Sequence, residues 1–70
     1  MSSSEITAWQ TGCDLAHAEA SAIRFLILSA RDLEAALSPE AAAARQNLGH
    51  DTWAYWVRRG WDDANGIRAR

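Results

Sequence analysis

Leu37-Ser38-Pro39-Glu40-Ala41-Ala42-Ala43-Ala44 divides this chain in two. Ser38 is a good N-cap. Pro39 suits the first helical position, where its missing N–H would have no helical partner anyway, and Glu40 sets a negative charge against the positive end of the helix dipole. The alanines then propagate a helix. Pro39 is the only proline of the 70 residues, so the reading on either side rests on periodicity.

Upstream, steps of three and four residues from Ile6 select Trp9, Cys13, Ala16, Ala20, Ile23, Ile27, Ala30, Glu34 and Leu37, a heptad seam interrupted only at Glu34. Leu26 and Leu33 widen it, while Gln10, His17, Arg24 and Arg31 form a polar edge. The pattern predicts one helix over about 5–37, roughly 45 Å long. Downstream, Leu48, Gly49, Trp53, Trp56, Val57, Gly60 and Ala64 line one side of a second helix over about 39–65, with Asn65-Gly66 as its stop. Gly49 and Gly60 each cost about 1 kcal/mol against alanine inside a helix, which points to close packing, or at Gly49 to a break.

The expected fold is therefore all-α, a single domain over 1–70 built as an antiparallel two-helix hairpin with its turn at 38–39. Facing positions should then have numbers summing to about 77. Ala16 would meet Trp61, Ala20 would meet Trp56 and Val57, Ile23 would meet Trp53, and Ile27 would meet Gly49. Small side chains face large ones along this seam, which assigns most of the Trp53, Tyr55, Trp56, Trp61 cluster to the core.

A chain of this length buries only about 60% of its unfolded surface and commonly needs a staple. Cys13, the one cysteine, excludes an intrachain disulfide, and no Cys and His set has zinc-site spacing. Oligomerisation is the remaining remedy. Phe25-Leu26-Ile27-Leu28 is apolar on every side of a helix, more than a hairpin can cover. A homodimer pairing the first helices around Phe25 and Leu28, with Arg24, Arg31 and Asp32 at the rim, would make a four-helix bundle.

Composition excludes several classes. Net charge is −2, which argues against a broad electrostatic grip on nucleic acid. No apolar run approaches the ~20 residues of a membrane span, and the start lacks the basic character of a signal peptide, so the expected location is cytoplasmic. Cys13 and His17 are one helical turn apart, but two ligands do not make a metal site. Asp62 and Asp63 fall on different faces of a helix and cannot work as a carboxylate pair. No catalytic residue and no cofactor is expected, and the chain reads as a non-enzyme.

What remains is a stripe. Asp51, Tyr55, Arg58 and Asp62 recur at i, i+4, i+7 and i+11 with Arg59 beside them. Tyr and Arg are enriched at interaction hot spots, so Tyr55, Arg58, Arg59 and Asp62 are the candidate partner-binding residues. The alternative is a solvated face carrying weak Arg–Asp pairs.

Two resemblances bear on function. Ala8-Trp9-Gln10-Thr11-Gly12 and Gly60-Trp61-Asp62-Asp63-Ala64 resemble the A-x-x-x-G and G-W-x-x-A pieces of ribosome modulation factor, a small two-helix protein; this resemblance implies association with the ribosome or RNA. In length, acidity and aromatic-rich helices the chain is also similar to small phage-encoded proteins that disable a host factor: quorum-sensing anti-activators, pilus-motor inhibitors and anti-CRISPR proteins. That likeness implies a host regulatory protein as partner, a transcription regulator or an ATPase, inhibited by steric blockade. An antitoxin-like or purely structural bundle is a third alternative.

Overall fold

Serine side chains start four of the helices. The computed structural model of the chain describes residues 1–66, where the regular structure is entirely helical: α1 (Ser3–His17), α2 (Ala22–Leu26), α3 (Ala30–Ala36), α4 (Pro39–Leu48) and α5 (His50–Ala64). Ser2, Ser21, Ser29 and Ser38 each accept a hydrogen bond from the backbone N–H three residues on, at Glu5, Arg24, Asp32 and Ala41. Each thereby satisfies one of the donors that a helix start leaves without a partner. At Ser2 the cap is reciprocal, because the Ser2 N–H donates back to Glu5 Oε1 at 2.6 Å. That bond is the first reason the Glu5 carboxyl lies below its ordinary range.

The helix expected over 5–37 is thus three helices. The first break is a Schellman closure in which Ala20 N donates to Leu15 O at 2.9 Å and Glu19 N to Ala16 O at 3.1 Å. It requires a left-handed residue, and Glu19 takes that conformation with φ 56°. The second break lies between α2 and α3, where Ser29 opens the next cap. A single helix over these residues, at roughly 45 Å, would exceed the longest molecular dimension of 34 Å. Its far half would have nothing to pack on. Breaking it lets Leu33 reach the core, where it is fully buried with Ala8, Trp53 and Val57, while Phe25, Leu26 and Leu37 pack around them.

The second predicted helix is also divided, at Gly49, whose φ of 81° and ψ of 154° lie in a region that only glycine occupies readily. Of the two readings open for Gly49, a break is the one observed. α5 ends at Ala64, with Asn65 as its C-cap and Gly66 at φ 73°.

The centre of the fold is an antiparallel crossing of α1 on α5. A Cβ built at Gly12 would overlap the Val57 carbonyl oxygen and sit 2.7 Å from Trp61 N; one built at Gly60 would overlap the Trp9 carbonyl oxygen. Each glycine therefore rests directly on the other helix's backbone, an approach that any side chain would prevent. Cys13 lies in the same crossing and its thiol reaches Gly60 O at 3.4 Å. Burial comes first, and Asp14 and Asp63 next, in raising the Cys13 thiol above its ordinary value of 9.0.

This register differs from the one expected. Gly12 faces Val57 and Gly60 faces Trp9, a sum of 69 rather than 77, because α2, α3 and α4 intervene where a tight turn was expected. Trp61, expected against Ala16, lines a cleft with both Ala16 and Ala20, its indole N–H donating to the Ala20 carbonyl at 2.7 Å. Trp53, however, meets Phe25, with ring centroids 6.2 Å apart. Ile23 and Ile27, expected against Trp53 and Gly49, are 56% and 77% exposed.

Trp53 is the hub of the core. It is fully buried, His50 tilts against its ring at 5.8 Å, and the Arg45 guanidinium lies 5.7 Å over it. The last contact is a cation–π arrangement that sets a charge at the core's edge without burying it. No helix among the described residues is long and apolar enough to cross a membrane.

Candidate interaction surface

α5 owes its position to one apolar face. Trp53, Val57 and Gly60 are buried against the rest of the fold, at steps of four and three residues, and that turns the face carrying Tyr55, Arg58 and Arg59 to solvent. Tyr55 is 54% exposed, and Arg58 and Arg59 are exposed beside it. Asp62 is half-buried.

The four candidate residues come together in two linked pairs. Arg59 Nη1 donates to Tyr55 Oη at 3.1 Å, a bond that is the first cause raising the guanidinium pKa still further. Arg58 Nε lies 3.4 Å from Asp62 Oδ1. Arg59 also approaches Asp63 at 4.0 Å, and Asp63 accepts the Trp9 indole N–H at 2.9 Å. Tyr55 stands edge-on to Trp56 with ring centroids 5.2 Å apart. The stripe therefore continues across α5 into an open cleft of about 330 Å³ lined by Met1, Trp9, Trp56, Arg59 and Asp63.

These ion pairs contribute little to folding. Both are i,i+4 pairs between an exposed Arg and a half-buried acid, of a kind worth a few tenths of a kcal/mol. Both place Arg before the acid, the less favourable order on a helix. Asp62 and Asp63 also lie in the last turn of α5, which has no basic residue, so their charge meets the negative end of the helix dipole. Asp63 has a structural role in holding the Trp9 indole, whereas the Arg58–Asp62 pair adds little to stability.

Sequence reasoning missed three members of the surface. Trp9 and Trp56 read as seam residues, yet each is only half-buried and forms a cleft wall. Asp63 lies off the Asp62 face, which is the reason it can serve Trp9 and Arg59 instead. The available signal was the Arg59 to Asp63 spacing, which repeats the Arg58 to Asp62 spacing one residue along.

The residues expected at a dimer interface divide. Arg24, Leu28, Arg31 and Asp32 are on the surface, Leu28 at 38% exposure. Phe25 is half-buried, its ring packing on Trp53. Cys13 is buried and His17 exposed, and no cluster of three metal-ligating side chains occurs among the described residues. Comparison with protein-family models, with curated proteins and with solved structures gives no match.

Proposed function

We propose that this chain is a non-enzymatic interaction protein that occupies the surface of a host regulatory protein, a transcription regulator or an ATPase, and inhibits or modulates it by steric blockade. The outer face of α5 is the binding surface, with Tyr55, Arg58, Arg59 and Asp62 as its polar contacts. The observation that carries this reading is the union of that stripe with the Trp9 and Trp56 cleft. Two indoles, a phenol and two guanidiniums form one patch, and Trp, Tyr and Arg are the side chains that dominate interface energetics. The internal pairs are weak, so exchanging them for contacts to a partner costs little.

The test is capture from lysate with the tagged chain, followed by affinity measurement on the captured protein. Tyr55→Ala with Arg59→Ala should weaken binding by roughly 100-fold, about 3 kcal/mol for two hot-spot residues, while the circular dichroism spectrum and melting temperature stay as in the native chain. Unchanged affinity with an intact fold would remove α5 as the site.

A second reading, ribosome or RNA association, draws on a different observation. The two pieces that resemble ribosome modulation factor, 8–12 and 60–64, pack on one another through Gly12 and Gly60. In that case binding uses Arg58 and Arg59 on phosphates and weakens steeply with salt. Flat salt dependence would end it. Arg68 and Arg70, which would add to such a contact, lie outside the described residues.

A further inference from the structure

The last turn of α5 closes on one amide side chain. Asn65, the C-cap, donates its Nδ2–H to the Trp61 carbonyl at 2.8 Å, and so satisfies one of the carbonyls that a helix end leaves without a partner. Trp61 in turn ties this end of α5 to the corner between α1 and α2 through its indole bond to Ala20 O. Asn65 and Trp61 line one crevice with Ala16, Glu19, Ala20 and Ser21. The cap thus supports the turn that presents Trp61 to that corner.

The residue after the cap is Gly66, exposed like Asn65 itself and turned out of the helix at φ 73°. An asparagine followed by glycine carries a reaction of its own. Glycine has no Cβ to shield its backbone nitrogen, so that nitrogen can attack the Asn65 side-chain carbonyl carbon. The new bond joins Gly66 N to Asn65 Cγ, the Cγ–Nδ2 bond breaks, and the Gly66 amide proton leaves with the side-chain nitrogen as ammonia. Water then opens the cyclic imide at either carbonyl to give aspartate or isoaspartate. In the capped turn both groups are committed elsewhere, Nδ2 to Trp61 O and the Gly66 N–H to Asp63 O at 3.2 Å. Helix ends fray readily, and an opening of the last turn frees both. The other asparagine, Asn47, meets neither condition: Leu48 follows it, and it lies within α4 with its amide on Ser4 Oγ at 3.2 Å.

We propose that Asn65 is a site of self-modification, at which cyclisation onto Gly66 and hydrolysis turn the cap of α5 from a hydrogen-bond donor into a carboxylate and loosen the end of α5 from the α1–α2 corner. The product cannot donate to Trp61 O. It adds an anion to a last turn that holds Asp62 and Asp63 and no basic residue, at the negative end of the helix dipole. In the crevice it also meets Glu19, which forms no ion pair among the described residues. Tyr55, Arg58, Arg59 and Asp62 take no part, so the outcome leaves the α5 binding surface to its own test.

The experiment incubates the full chain, folded and in guanidinium, at mildly alkaline pH. Peptide mapping by mass spectrometry follows the exchange of amide for acid at each asparagine, and isoaspartyl methyltransferase counts the isoaspartate. In the folded chain Asn65 should convert well ahead of Asn47, at a rate within about tenfold of that in guanidinium, because terminal turns open at a free energy near zero. Asn65→Gln, whose longer side chain closes the ring poorly, should stop the conversion. Asn65→Asp sets one product in place directly and should melt about 4–8 °C below the native chain, with a displaced Trp61 indole N–H signal by NMR. Protection of Asn65 by about 100-fold or more in the folded chain, conversion of Asn47 as fast as Asn65, or an Asn65→Asp protein with the native melting temperature and the native Trp61 signal would each overturn the proposal. The first two measurements use the native chain and decide the matter even if a variant fails to fold.

Discussion

Replacing Gly12 by alanine adds one methyl group where α1 rests on α5. In an ordinary helix interior that change stabilises by about 1 kcal/mol, since alanine has the better helix propensity. At Gly12 the methyl would occupy the place of the Val57 carbonyl oxygen and come within 2.8 Å of its carbon. Both are backbone atoms, so no rotamer change makes room and the helices themselves must separate. Overpacking of this kind costs about 1–3 kcal/mol and occasionally more. Separation also forfeits the Cα–H···O contacts that Gly12 makes to Val57 and Gly60 to Trp9, about 0.5–1 kcal/mol each, and it opens gaps around Ala8 and Val57, both fully buried. A net loss of about 3 kcal/mol follows once the propensity gain is deducted. Against a stability of roughly 4–10 kcal/mol for a chain this size, thermal unfolding followed by circular dichroism should show a fall of roughly 12–24 °C. Gly60→Ala should behave alike. The double variant should lose less than the sum, because a single separation of the helices relieves both overlaps. A Gly12→Ala protein that melts at or above the native temperature would refute the crossing and with it the register of α1 on α5.

Glu19→Gly tests the end of α1. Glu19 holds φ 56°, a conformation that costs a residue with a side chain about 1–2 kcal/mol and glycine little, so urea unfolding should show a stabilisation of about 1 kcal/mol, and a loss would mean that α1 continues past His17. The Cys13 thiol, raised above 9.0 by burial and by Asp14 and Asp63, should react with Ellman's reagent far more slowly in the folded chain than in guanidinium. Because the folded value is the higher one, its contribution to stability is fully present below pH 9.0 and declines as pH rises through the folded value; a Cys13→Ser variant with the same alkaline profile as the native chain would place the titration elsewhere.

How far the sequence could be read depended on which feature left a mark in residue type. Helical content was legible because apolar residues recur at three and four, and Ser38-Pro39 marked a boundary with two residues that each have a local reason to be there. The breaks at Glu19 and at 27–29 were not. Heptad spacing constrains only which residues share a face while a helix lasts, and it persists across a break if both pieces bury the same kind of side chain. Alanine-rich sequence around Ala18 and Ala20 favours helix locally, and the left-handed position is filled by Glu19 where glycine would have announced it. The legible sign was Ser21 and Ser29, each capping the helix that follows. Without a proline beside them they read as ordinary helix-surface serines, and tertiary burial of Leu33 on Trp53 decided the outcome.

The candidate surfaces show the same division from the other side. Tyr55, Arg58, Arg59 and Asp62 could be grouped from sequence because they lie on one turn-by-turn stripe of one helix, and helical geometry alone fixes their neighbourhood. Trp9 joins them only through the α1–α5 crossing, fifty-four residues from its partner Asp63, and nothing local in the sequence states that contact. A sum of 77 holds only for an uninterrupted hairpin, and the detour through α2, α3 and α4 shifts it by eight, to 69. That shift moves Trp9 from the interior to a cleft wall, and it moves Ile23 and Ile27 from the interior to the surface. The same two breaks therefore shape both the α5 cleft and the α2–α3 corner. Folding the first helix back gives α5 an aromatic neighbour on its solvent side and leaves the α2–α3 corner with more aliphatic surface than the chain can cover by itself.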